Sequence, residues 1–293
     1  MLAPFRIHEP TTVRDASRLL LEHGDAAAIY AGGTELLLLM KDGLVHYPHL
    51  VNIKTIAGLD QVALQDENGS RTLTLGPLLT HRALARSATL REQAPLIAQV
   101  AERVANARVR AAGTLGGNLC FGEPHSDPAT LLLAWDAVME LTSTDGSRRV
   151  PAISFFVGLL QTARQPHEVL TSVAVPLLPA HAGAAYEKFA LHERPSVTVA
   201  AVVYLRDGAI EQARLAVGSV GPTPLRIGEA EEALAGDRPA ESAFSHAAAL
   251  AARTVSPVDD LYGSAEYKRH LVRVLAARAL SAASEQAARR ERA

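Results

Sequence analysis

The chain has 293 residues, room for one large unit or two ordinary domains. Hydrophobic residues at 48% and charged residues at 20% fit a globular protein and argue against a disordered tail or a membrane protein. A formal charge of -2 supplies no basic field, so no nucleic-acid partner is expected.

Residues 1–16 lack a basic n-region and an apolar h-region, and no apolar run approaches the ~20 residues that span a bilayer. Cys120 is the only cysteine, so this chain alone builds no internal disulfide, four-cysteine iron–sulfur cluster or cysteine-rich zinc site. A cytoplasmic protein is expected, and any iron–sulfur centre must sit on a partner.

Pro4 to Ile7 reads as a short extended piece. Thr11 or Thr12 caps a helix from Val13 to His23, which Gly24 ends. Ala26 to Tyr30 is a small-residue strand running into Ala31-Gly32-Gly33-Thr34, and Glu35 to Lys41 resumes a helical pattern stopped by Asp42-Gly43. Leu50 to Ile53 is a strand by composition, closing a small mixed unit near Thr55. Gln61 to Leu64 and Arg71 to Leu75 bracket the hairpin turn Asp66 to Ser70. Thr80 precedes a helix from His81 to Ser87, and a second helix covers Ala94 to Arg103. Glycine and small residues dominate Ala111 to Asn118, after which Pro128 to Trp135 is helical with Asp127 at its cap position. Val138 to Thr142 and Arg149 to Val150 flank another turn. Beyond a boundary in Pro176 to Gly183, Val197 to Leu205 and Ala209 to Val217 form a hairpin within a three-stranded sheet. Helices follow at Glu229 to Ala235, Ser242 to Ala252 and Ala265 to Glu291.

Two Gly-Gly turns therefore stand at corresponding transitions, each just ahead of a helical segment. Consecutive glycines tolerate positive φ and let backbone approach a diphosphate, while free amides at such a turn attract an anion. A tight turn explains either one alone equally well. Neither fits the G-x-G-x-x-G or G-x-x-x-x-G-K-[ST] pattern, so an ordinary dinucleotide fold and an ATPase lack motif support. Asn118 both donates and accepts, and Asp127 suits hydroxyls that donate, or it merely caps its helix. Glu35 is a similar acceptor or a first-turn acid. His125, Ser126 and Asp127 do not make a catalytic triad, and His46 with His49 and His192 with Glu193 lack metal-ligand spacing, so local or surface roles are expected. Cys120 reads as a small buried residue, and Phe121 and Trp135 as core, packed near Phe155 and Phe156. Tyr186 either covers a flavin face or packs in the core. No catalytic acid, base or nucleophile and no metal ligand is expected.

The runs Ala31-Gly32-Gly33-Thr34-Glu35-Leu36, Gly113-Thr114-Leu115-Gly116-Gly117-Asn118-Leu119 with Ser126-Asp127, and Asp260-Leu261-Tyr262-Gly263-Ser264-Ala265-Glu266-Tyr267-Lys268-Arg269 together resemble the FAD-binding medium subunit of molybdenum hydroxylases, over nearly the whole chain. That family includes the flavin subunits of carbon monoxide dehydrogenase and xanthine dehydrogenase. The resemblance implies an α+β chain: a two-subdomain FAD-binding fold of the vanillyl-alcohol-oxidase-like type in residues 1–178, with subdomains of approximately 1–55 and 56–178. A small antiparallel sheet with helices follows in residues 179–293. It also implies FAD contacts from Ala31, Gly32, Gly33, Thr34, Glu35, Thr114, Gly116, Gly117, Asn118 and Asp127, with Tyr186 and Lys188 towards the ring. Partners would be a large subunit with the molybdopterin cofactor and a small subunit with two [2Fe-2S] clusters, in a dimer of heterotrimers. Electrons would pass through those clusters to FAD and on to NAD, a quinone or oxygen. A stand-alone flavin reductase or oxidase, or a non-redox scaffold, are the other readings of the same turns. Where family members often carry an arginine pair and an acid, this chain has Leu191, His192 and Pro195, so the resemblance assigns no acceptor.

Overall fold

The computed structural model describes residues 2–67 and 70–292, so Asn68 and Gly69 of the expected hairpin turn lie outside the described residues. The chain opens with β1 (Arg6–His8), α1 (Val13–His23), β2 (Ala27–Tyr30), α2 (Leu36–Lys41) and β3 (His49–Asn52). The strands form a parallel sheet in the order β1-β3-β2. Thr12 caps α1 by accepting from the Asp15 amide, and Gly24 leaves it at φ 50°, as the sequence predicts. Ala16 and Leu20 of α1 bury against Val51, Ile53 and Ala31 to make a small core.

A second unit runs through β4 (Val62–Glu67), β5 (Ser70–Leu75), α3 (His81–Arg86), α4 (Ala88–Gln93), α5 (Pro95–Glu102), α6 (Ala107–Ala112), α7 (Leu115–Phe121) and α8 (Asp127–Ala134). It continues with β6 (Val138–Ser143), β7 (Gly146–Pro151), α9 (Ala152–Phe155), β8 (Phe156–Gly158), β9 (Gln161–Thr162) and β10 (Val169–Pro176). Its five-stranded sheet has the order β4-β5-β10-β6-β7, antiparallel throughout. The last strand in sequence is thus the central one. The sequence assigns no element there, because a single run such as Val169-Leu170-Thr171-Ser172-Val173 shows its pairing only once β5 and β6 flank it. Trp135 and Phe155 pack in the core of this unit with Phe156 beside them, and the Trp135 indole donates to the Pro176 carbonyl at 2.8 Å. Phe121 is half-buried and faces a cavity instead.

The last region has β11 (Ala182–Phe189), β12 (Val197–Arg206), β13 (Ala209–Gly218), β14 (Leu225–Arg226), α10 (Gly228–Leu234), α11 (Glu241–Thr254) and α12 (Ala265–Glu291). Its antiparallel sheet has four strands, β11-β12-β13-β14, rather than three. The added pair Leu225–Arg226 is too short to read from composition. Val197, Val199, Ala201 and Val203 of β12 face α11 and α12, while Ala200 and Val202 face the second unit. A strand covered on both sides reads as an unbroken apolar run, which explains Val197 to Leu205. At the junction Thr130 of α8 bonds Thr198 at 2.9 Å, and Asp136 pairs with Arg214 and Arg226 at 2.9 and 2.6 Å. No helix among the described residues is long and apolar enough to cross a membrane.

Candidate functional site

The chain leaves the C-terminal end of β2 at Ala31 and turns at once, the place where ligands gather on parallel sheets. Gly33 sits at φ 71°, a conformation that glycine adopts without strain. A Cβ there would also stand 2.6 Å from the Tyr30 ring. Glu35 occupies the cap position of α2 but its side chain makes no capping bond, and the first amide bonded back is that of Leu37, to Gly33. Among the described residues nothing accepts from the Gly32, Gly33, Thr34 or Glu35 amides. Consecutive open amides of this kind form an anion-binding nest.

The second turn differs from expectation. Its helix starts at Leu115, capped by Thr114, so Gly116 and Gly117 lie inside the first turn of α7 rather than ahead of a helix. Its amides are not free either. Leu115 donates to Leu79 at 2.9 Å, Gly116 to Pro77 at 2.8 Å, Gly117 to the Thr114 hydroxyl at 3.1 Å and Asn118 to the Thr114 carbonyl at 3.0 Å. The partners Pro77 and Leu79 come from the strand-to-helix link before α3, which no local pattern reveals. What this turn presents is a surface without side chains at Gly117, which is exposed, and the Asn118 amide. Ser126 donates to Asn118 Oδ1 at 2.5 Å, leaving the Asn118 NH2 group to donate.

The two turns touch. A Cβ on Gly32 would overlap the Ala112 carbonyl oxygen and come within 3.0 Å of Gly113 Cα, and a Cβ on Gly113 would stand 3.4 Å from the Thr34 hydroxyl. They share one cavity of about 500 Å³, within the range of small-molecule sites. Ala31 to Glu35, Thr114, Gly116, Gly117, Asn118 and Asp127 all line it. Tyr186 and Lys188 stand behind Asp127 instead of on its wall: the Tyr186 hydroxyl donates to Oδ1 at 2.6 Å and the Lys188 ammonium to Oδ2 at 2.8 Å. Tyr186 is a core residue, its hydroxyl turned onto Asp127. Asp127 is the first residue of α8, and Ser126 caps that helix, accepting from Ala129 at 3.1 Å. Capping is therefore not the carboxylate's role. Burial raises Asp127 above the usual carboxylate range against the pull of the Lys188 ammonium, and each oxygen retains a lone pair.

Charged groups gather at the mouth. Arg194 pairs with Glu123 at 2.9 Å and approaches Glu35 at 3.7 Å, and His125 bonds Glu123 at 2.7 Å while its ring meets Tyr262 at 4.6 Å. Burial pushes Glu123 up, but the His125 bond and Arg194 outweigh it and hold the carboxyl low. Partial burial raises Glu35, with Arg194 opposing. His81, on the cavity wall beneath the second turn, donates its backbone amide to Gly113 at 3.0 Å. Burial and the Arg110 charge lower its imidazole to about 4, which keeps the ring neutral. Cys120 also lines the cavity, its thiol pushed up by burial to about 11, which makes it a poor nucleophile. His81 and Arg194 carry no sequence signal as site residues, because only the fold brings residues 81, 113 and 194 together. His49, expected to act alone or locally, meets His8 and His23 on the first sheet, outside the cavity.

The profile described as the FAD binding domain in molybdopterin dehydrogenase matches residues 3–178, and that of the CO dehydrogenase flavoprotein C-terminal domain matches residues 192–283. The chain belongs to the FAD-binding medium-subunit family of molybdenum hydroxylases. These flavoproteins are electron-transfer subunits, with the vanillyl-alcohol-oxidase-like FAD fold followed by an antiparallel sheet with helices. The carbon monoxide dehydrogenase medium chain of Afipia carboxidovorans is 33% identical over 97% of this chain and 98% of its own length. The nicotine 6-hydroxylase medium subunit of Paenarthrobacter nicotinovorans is 30% identical over 95% and 97%. A solved carbon monoxide dehydrogenase from Hydrogenophaga pseudoflava, lacking the Mo-pyranopterin moiety of its molybdenum cofactor, matches with TM-score 0.93 and 33% identity over 98% of this chain and 99% of that one. Relatives so similar to this flavoprotein bear the names of different substrates, so similarity in this subunit does not select one. The residues present fit FAD: open amides for a diphosphate, carboxylates for hydroxyls, and apolar walls from Phe121, Pro166 and Pro195.

Proposed function

We propose that this chain seats one FAD with its diphosphate between Ala31–Glu35 and Thr114–Asn118, and relays electrons from two [2Fe-2S] clusters on a small partner subunit to an external acceptor. The contact between the two turns over one cavity carries this reading, because a single linker can then reach both. Substrate hydroxylation belongs to a large molybdopterin subunit, in a cytoplasmic dimer of heterotrimers. The FAD-binding part is residues 1–178, and residues 179–293 reach the site through Arg194 on its wall and Lys188 behind Asp127. When bound, the flavin supplies one- and two-electron transfer. The chain's residues bind and orient. The Gly32 to Glu35 amides neutralise phosphate charge, Asn118 donates beside them, and Asp127 accepts from sugar-chain hydroxyls while Tyr186 and Lys188 fix its carboxylate. His81 stays neutral and adds no charge under the second turn. Arg194 holds Glu35 and Glu123 together at the mouth, where an acceptor would enter.

Purification from the native source, with an absorbance spectrum and the masses of all bound chains, tests the proposal. The expected result is a flavin band with co-purifying iron–sulfur and molybdenum-containing subunits. A yellow single chain rapidly reduced by NAD(P)H would contradict the partner assignment, and a colourless monomer that cannot take up FAD would contradict the cofactor.

A further inference from the structure

Three histidines distant in sequence meet on the N-terminal sheet, outside the cavity that the two turns share. His8 ends β1, His23 ends α1 and His49 opens β3. The parallel register sets Arg6 against His49 and His8 against Val51, so His8 and His49 are diagonal neighbours on one face. The last residue of α1 is delivered to the same place: the His23 ring stacks on His49 with centroids 3.8 Å apart and lies 5.0 Å from that of His8. His8 Nε2 and His49 Nδ1 are 2.9 Å apart, and one nitrogen from each of the three residues lies within 4.8 Å of the others. All three side chains are half-buried, and the Glu22 carboxylate stands 4.0 Å from His23 Nε2.

We propose that His8, His23 and His49 bind one divalent transition-metal ion of the imidazole-preferring class, for which Zn²⁺ is the probe, and that the ion staples β1, α1 and β3 together. Three imidazoles with a fourth position open to water or a carboxylate are a recurrent zinc ligand set. Bonds of about 2.0–2.1 Å in a tetrahedral arrangement place ligand nitrogens about 3.3 Å apart. The His8–His49 pair stands within a few tenths of an ångström of that spacing, and rotation of the His23 side chain supplies the rest. Glu22 is placed to fill the fourth position or to orient His23. The rings come from three separate elements over a core built on little more than Ala16, Leu20, Val51, Ile53 and Ile56, where a cross-link adds most. His49 pairs in register with Ala27 at the start of β2, whose other end is Tyr30, next to the first FAD turn. His49 is thus about 10 Å of strand away from that turn, His8 lies on β1 with β3 between it and β2, and the three histidines share no residue with the cavity.

The test is calorimetric titration of the chelator-treated full chain with Zn²⁺ near neutral pH, alongside His8→Gln and His49→Gln. The expected result is one saturable ion per chain, binding weakened at least about 30-fold in each variant, and a thermal midpoint about 5 °C higher at zinc one hundredfold above Kd. Equal binding by wild type and both variants, or no saturable binding by wild type, overturns the proposal. Should the variants fail to fold, zinc-edge X-ray absorption of the wild-type complex decides. Scattering from three imidazoles supports the site, and any other ligand shell rejects it.

Discussion

After β2 the amides of Gly32 to Glu35 have no acceptor among the described residues, whereas before and within α7 the amides of Leu115, Gly116, Gly117 and Asn118 are all bonded, to Leu79, Pro77 and Thr114. Both turns contain Gly-Gly beside threonine, yet glycine serves a different physical end in each. Gly33 supplies a positive φ that opens a nest of donors, and Gly32 lets the turn touch Ala112 and Gly113. Gly116 keeps α7 close to Pro77, and Gly117 leaves a smooth wall. On the proposed reading, one turn would neutralise charge and the other would set shape, and a ligand between them would need both.

The largest effect is expected from Gly32→Ala. Its Cβ meets backbone on the neighbouring turn, which cannot rotate aside, so overpacking of about 3 kcal/mol drives the turns apart and weakens FAD about 100-fold in equilibrium binding. Wild-type affinity in this variant would break the contact on which the comparison rests. Next comes the support beneath the second turn. The folded His81 pKa, about 4, lies below the ordinary 6.5, so the unfolded chain binds the extra proton between these values. The His81 contribution is complete above pH 6.5 and is lost as pH falls towards 4, by about 3 kcal/mol in all, with no further change below that. Urea unfolding at pH 7 and pH 5 should show about 2 kcal/mol of this loss, and His81→Gln should shrink it. Gly117→Asp adds a negative charge to the smooth wall and should weaken FAD about 10-fold with a small fall in thermal midpoint, since its Cβ would stand 2.9 Å from the Thr114 hydroxyl that caps α7. The smallest effect belongs to Gly117→Ala, within about threefold in the same titration. A large loss there would mean that the second turn reorganises to offer its own amides.

Much of the frame is legible in the sequence because its signals are local. Thr12 with Gly24 marks α1 at both ends, and Ala265–Glu291 is one helix as read. The chain also shows which residues would crowd together, since the Gly-Gly turns and Asp127 do line one cavity. The bonding state of those turns is not legible. Whether the Gly116 amide is open depends on Pro77, and whether Asp127 caps a helix depends on the neighbouring Ser126 and on Tyr186 and Lys188 far along the chain. The histidine cluster is hidden for the same reason: His8, His23 and His49 become neighbours only through the β1–β3 register and the length of α1.

Amide hydrogen exchange of the full chain with and without FAD measures the asymmetry of the two turns directly. Amides 32–35 should exchange fast without the cofactor and slow by about 100-fold or more when it binds, while amides 115–118 should be slow in both states. Fast exchange at 115–118 that slows on binding, together with no change at 32–35, would reverse the roles assigned to the turns.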